Sequence, residues 1–287
     1  MDIQSGKRTH DQTDADVSIK KKQKKDTSNT IPIMRGRFKQ RWLSKHSSLL
    51  KRADSQSGLM VSCGVKSETR ALGQVQQGLE RYVQQLFPQC ELTWERFEGD
   101  LDVEETEEVP QEKVANRKEK RFQAVDAACG GLIFYRFKIN VKPTEFLNKL
   151  IDYLSNLSKE ERMGELNKLN HCARWIPLDF ICPATTERMA KCFERLAEVH
   201  LKDKTTTSIS VAIITEIRNN MLIKKEDIIQ TIAPLIPSNY KVDLKNPTLV
   251  IFVTVFKSVC GMSTLENYYG RKKYNLAALF DDNSKKE

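Results

Sequence analysis

The chain has 287 residues, 39% hydrophobic and 30% charged, with a mean hydropathy of −0.52 and a formal net charge of +9. That composition permits a real core in one large or two small domains. It holds no apolar run long enough for a membrane helix and no stretch shaped like a signal peptide. Seven scattered cysteines without a CxxC pair argue against a disulfide scaffold.

Charge divides the chain. Residues 1–52 carry 14 Lys/Arg against 5 Asp/Glu, residues 53–128 carry 9 against 15, and residues 129–287 carry 24 against 18. An acidic middle between basic ends predicts a polyanionic partner. Residues 1–57 read as a disordered basic tail, poor in apolar periodicity. Lys7 and Arg8, then Lys20, Lys21, Lys22, Lys24 and Lys25, have the form of a two-part nuclear import signal. At 34–45, Phe38 and Trp42 interleave with cations, a pattern that can track phosphates and stack bases.

From Gly58 the chain becomes periodic. GLMVSC predicts a strand closed by Gly64, and Ser67–Phe87 a helix with Leu72, Val75, Leu79, Tyr82, Val83 and Leu86 on one stripe. Leu92–Phe97 predicts a strand. Eight acidic residues between Glu98 and Glu112 predict an inserted loop, here called the acidic insert 98–112. Arg117–Ala128 has helical character, and Cys129-Gly130-Gly131 breaks into the strand LIFYRFKI, whose aromatics bear a faint likeness to an RNA-stacking strand. The pattern up to 140 is α+β around a small antiparallel sheet.

Helix and strand then alternate over 141–268. Lys142-Pro143-Thr144 opens a helix with Thr144 as its expected cap, and its stripe is Phe146, Leu147, Leu150, Ile151, Leu154 and Leu157. RWIPLDFICP predicts one strand ending near Pro183. A helix follows from a cap at Thr185, then a strand over Ile209–Ile217 and a helix over Lys225–Ala233. Leu249–Phe256, apolar except at Thr254, predicts a strand buried on both faces, preceded by turn chemistry at Asp243 and followed by a small-residue bend at Cys260-Gly261.

Catalytic motifs are missing. No P-loop, dinucleotide turn, HExxH or GxSxG is present, and His171, Cys172, Cys182 and Cys192 do not have zinc spacing, so no metal is expected. Cations and amides at strand ends instead suggest RNA: Arg174, Arg188, Arg218, Asn219, Asn220, Lys257, Lys272 and Lys273, with Trp175, Tyr268, Tyr269 and Tyr274 as possible stacking partners. Each alone also fits a solvated turn or a core position; their joint placement carries the reading. Two alternatives stand beside it: a stand-alone RNA-modifying enzyme using Cys260, and a nuclear scaffold acting through the tail.

RWIPLDFICPAT at 174–185, TEIRNN at 215–220, KVDLKNP at 241–247, VFKSVCGMS at 255–263 and KYNL at 273–276, in this order, resemble the THUMP-domain tRNA acetylation adaptor family. The resemblance runs from about Gly58 to Leu276. It implies a ferredoxin-like domain at 58–140, a THUMP α/β domain at 141–268 and a basic C-terminal tail at 269–287. It also implies a non-catalytic protein that binds tRNA, with Arg174, Arg218, Asn219, Lys257 and Lys273 toward the acceptor end; the two-part basic run adds the expectation of a nuclear or nucleolar location. Its partner would be a separate RNA cytidine acetyltransferase, which makes 4-acetylcytidine in the D-arm of serine and leucine tRNAs. Acetyl-CoA and ATP would be used by that enzyme, with no cofactor here. Few residues follow Leu276, so no fused catalytic domain is expected.

Overall fold

A computed structural model describes residues 43–51, 56–93, 120–201 and 209–281. The basic runs at 7–25, Phe38 and Trp42, and the acidic insert lie outside the described residues. The described chain is a mixed α/β structure on two sheets.

The first sheet contains β1 (Gly58–Cys63), β2 (Phe122–Val125), β3 (Leu132–Phe137) and β4 (Cys172–Leu178) in spatial order β2-β3-β1-β4, every neighbour antiparallel. Helices α1 (Glu68–Leu86) and α2 (Pro143–Asn156) make the crossovers, giving the order β-α-β-β-α-β. Their stripes are buried as the 3.6-residue spacing requires. On β3 the two-residue period separates the faces. Tyr135 and Phe137 meet the helices, with Tyr135 Oη donating to Leu72 O at 2.7 Å, while Phe134 turns away to stack on Phe256, ring centres 5.9 Å apart. At Gly58 a Cβ would lie 2.3 Å from Tyr135 O, and Gly131, at φ +68°, takes a left-handed turn against Cys63 O. A short helix, α3 (Lys159–Asn167), starts from a capping box on Ser158.

The second sheet contains β5 (Phe180–Pro183), β6 (Ser210–Arg218), β7 (Lys241–Val242), β8 (Leu249–Phe256) and β9 (Val259–Glu266), in order β5-β9-β8-β6-β7. Helices α4 (Thr186–His200) and α5 (Lys225–Ile232) cover one face. β8 is the centre, and all its residues are buried. Val250, Phe252 and Phe256 join the core of the first sheet; Ile251, Val253 and Val255 pack with Met189, Phe193 and Ile228 under α4 and α5. The layers therefore run helix, sheet, sheet, helix, with β8 inside both cores. Each full burial of a Val, Ile or Phe contributes roughly 1.5–3 kcal/mol. Thr254 faces the first sheet, 3.9 Å from Met60 Sδ.

Six expectations change. Residues 43–51, expected within the disordered tail 1–57, are packed, because Leu49 joins the first sheet's core and His46 and Ser48 are buried with it. Phe122–Val125 is a strand, since pairing with β3 buries Phe122 and Val125 and outweighs local helix preference. RWIPLDFICP divides into β4 and β5 at Asp179, so the chain passes between sheets at that residue and the boundary falls near 179, not 140. The cap position of α2 is Lys142, with Pro143 at N1; the buried Asp179 carboxylate accepts from Thr144 N at 2.9 Å. Cys260 and Gly261 lie within β9, and the bend is the two-residue hairpin Lys257-Ser258. Residues 269–281, expected as part of a basic tail, are packed through buried Tyr274 and Leu276 and the short helix α6 (Leu276–Leu279), because those apolar groups find the first sheet's core.

Candidate nucleic-acid interface

β6 and β8 run parallel in register and end together at Arg218 and Phe256. Lys257 N donates to Arg218 O at 2.9 Å, so one hydrogen bond ties two candidate cations at one end of the sheet. The hairpin puts Lys257 at φ 56°, where glycine is usual, and Lys257 is exposed. Asn219 is also left-handed, at φ 51°, and its Nδ2 donates to Ala128 O at 2.9 Å, clamping the end of β6 to the first sheet. Asn220 holds the next loop: its Oδ1 accepts from Leu222 N and Ile223 N at 2.9 and 2.8 Å, and its Nδ2 donates to Lys257 O at 2.7 Å. Both asparagines thus have structural work that leaves the neighbouring cations fixed. Arg188 is exposed at the start of α4, where Thr185 Oγ1 accepts from its amide. It shares this end of the sheet, since Pro183 pairs with Val259, but no hydrogen bond joins it to the other candidates.

Along β6, Glu216 and Arg218 share the face toward the first sheet, about 7 Å apart by strand spacing. Arg174, on β4, reaches across to them. Its Nη1 meets the Glu216 carboxylate, its Nη2 donates to Tyr268 Oη at 2.7 Å and its Nε donates to Lys273 O at 3.1 Å. Lys272 and Lys273 are exposed on the turn that Arg174 touches. Arg174, Lys272, Lys273, Arg218 and Lys257 therefore mark one margin between the two sheets, with Glu216 in its middle.

The aromatic candidates divide. Trp175 is fully buried against α1, near Gly78, so it cannot stack on a base; Tyr268 and Tyr274 are buried too, and burial pushes the Tyr268 hydroxyl up to about 12. Tyr269, 40% exposed, is the one of the four open to solvent. Phe134, Tyr135 and Phe137 of β3 are core, which removes the likeness to an RNA-stacking strand. Cys260 is buried beneath α4 and α5, on the face of the second sheet opposite the first sheet. Among the described residues no group of His, Cys, Asp or Glu is arranged to hold a metal, and no helix is long and apolar enough to cross a membrane.

Three features of this end escaped the sequence reading. Glu216 was hidden in a β-branched strand, although a charge between Ile214 and Arg218 on one face is a readable signal. Exposed Lys224 and Lys225 open α5, where the helix dipole disfavours cations. His46, buried between Asp126 O and Ser258 Oγ at 3.1 and 3.2 Å, pins residues 43–51 behind the hairpin and has no sequence signature at all.

Residues 183–265 match the THUMP domain family. THUMP domain-containing protein 1 of Homo sapiens is 26% identical over 160 residues, covering 55% of this chain and 42% of that protein. The protein named tRNA acetyltransferase TAN1 of Saccharomyces cerevisiae is 23% identical over 256 residues, covering 80% of this chain and 87% of that protein. The chain thus spans less than half of its human relative. Among solved structures, PH1313 from Pyrococcus horikoshii aligns at 14% identity with a TM-score of 0.43, covering 73% of this chain and 54% of that one.

Proposed function

We propose that this chain, which carries a THUMP domain over residues 183–265 and is related to THUMP domain-containing protein 1 and to TAN1, is a non-catalytic tRNA-binding adaptor. The observation that carries the reading is the basic margin: Arg218 and Lys257 tied by one backbone bond, and Lys272 and Lys273 on the turn that Arg174 grips. Cations on fixed backbone suit the recognition of RNA shape and phosphate rather than base sequence. The β-α-β-β-α-β unit, in sheet order β2-β3-β1-β4, supports a ferredoxin-like first domain. The basic stretch before Gly58 would add salt-dependent affinity and nuclear or nucleolar entry.

In this reading the protein holds serine and leucine tRNAs near a separate acetyl-CoA- and ATP-dependent RNA cytidine acetyltransferase, which forms 4-acetylcytidine in the D-arm. Raising the local concentration of one near the other assists the reaction with no chemistry in this chain. The name of the yeast relative favours a second reading, in which the chain itself transfers acetyl. One experiment separates them. Full-length protein, tRNA, acetyl-CoA and ATP are incubated with and without the acetyltransferase, and 4-acetylcytidine is measured. Product only with both proteins is expected; product from this chain alone overturns the adaptor. In parallel, Arg218→Glu and Lys257→Glu should each weaken tRNA binding about tenfold at low salt. Unchanged affinity in both removes the interface.

A further inference from the structure

Lys272, Lys273 and Tyr274 have φ of 49°, 55° and 58°, three consecutive non-glycine residues in the left-handed region. L-residues visit that region singly and at a cost, so a run of three persists only where its surroundings hold it. The backbone closes the turn: Lys272 N donates to Tyr269 O at 3.0 Å, Lys273 N to Tyr268 O at 2.8 Å, Tyr274 N to Arg271 O at 2.8 Å and Asn275 N to Lys272 O at 3.2 Å. All four amides are therefore spent, and an anion can be met here only by side chains. Tyr274 anchors one flank from the core, its hydroxyl donating to Glu266 O at 3.1 Å.

On the other flank stands Arg174. Its three bonds go to three elements: the Lys273 carbonyl on the turn, the Tyr268 hydroxyl at the end of the second sheet, and Glu216 on β6. The guanidinium is planar and its donors are fixed in a fork, so bonding on three sides fixes the turn relative to both sheets. Glu216 is the odd member of the margin. A carboxylate among phosphate-binding cations repels RNA, yet it sits between Arg174 and Arg218 with its charge turned onto Arg174.

We propose that Arg174 is a positioning residue rather than a phosphate contact: oriented by Glu216, it latches the left-handed turn so that the Lys272 and Lys273 ammonium groups are presented together to the RNA backbone. This rests on the RNA-binding reading above.

The test is tRNA affinity of the full chain against salt, for variants whose melting temperatures match the parent. Glu216→Gln separates latch from charge. By charge alone it strengthens binding; through the latch it weakens binding about fivefold, since the amide holds Arg174 less firmly than the carboxylate does. Arg174→Lys keeps the charge and loses the fork, so it should fall as far as Arg174→Ala. In a background of Lys272→Ala with Lys273→Ala, Arg174→Lys, which still neutralises Glu216, should cost nothing more, because nothing remains for the latch to present. A rise or no change with Glu216→Gln, full retention with Arg174→Lys, or additivity in the cycle each overturns the proposal. If the double lysine variant binds as the parent does, the RNA reading of this turn fails instead. Should Arg174→Ala not fold, the near-isosteric Glu216→Gln still decides.

Discussion

His46 shows how one side chain ties solution conditions to this edge of the molecule. Its ring lies edge-on to Phe256 and bonds Asp126 O and Ser258 Oγ, with Lys257 close by. Burial, aided by the Lys257 charge, lowers its pKa below 6.5, although the Asp126 carbonyl pulls the other way. A lowered histidine is neutral when folded and takes up its proton more readily when unfolded. Stability from this site is therefore present above pH 6.5 and is lost as pH falls below it. Urea midpoints at roughly pH 7.5 and 5.5 should drop more for the parent than for His46→Gln, which keeps polar groups and cannot titrate there. Equal drops remove His46 as the cause.

Helix α2 is an element whose start is completed from elsewhere in the chain. No side chain of its own caps it, and Asp179 supplies an acceptor to Thr144 N from between the sheets. The same carboxylate is buried, and loss of solvation raises its pKa despite Thr144 and His200, so its charge opposes folding as pH rises above its ordinary 3.8. Asp179→Asn keeps the acceptor and drops the charge; it should equal or exceed the parent in urea unfolding at neutral pH. Asp179→Ala should lie about 1 kcal/mol below the Asn variant. Equal stability of the two would show that the cap contributes nothing. Asp179 also marks what the sequence could tell. β8 was legible because its apolar run left one option, and α1 and α2 were legible because their stripes repeat. The split of RWIPLDFICP was not, since both strands are apolar and only one polar residue separates them. Phe122–Val125 is short and has its partner in a later strand. At the site, Arg174 and Lys273 could be named from sequence, whereas their contact joins residues 99 apart.

At the scale of the whole molecule, the THUMP-matched segment is not self-contained. A fragment limited to 183–265 would lose all but the last residue of β5 and expose the edge of β9. It would also uncover Val250, Phe252 and Phe256, which the first sheet now buries. Bare edges and apolar faces of that kind self-associate. Such a fragment should elute from a sizing column as aggregates, while residues 43–287 should elute as a soluble species; a well-behaved monomer from 183–265 would show that the two sheets are separable. The passage of the chain through Asp179 has a consequence for timing as well as for architecture. During synthesis the first sheet cannot close until β4 emerges, and by then the chain is one residue from beginning the second. With no spacer between them, the first unit must wait, its Met60 and Phe134 side uncovered, until β8 and β9 are made some eighty residues later. The interval between those strands is where a chaperone would find the most exposed apolar surface to hold.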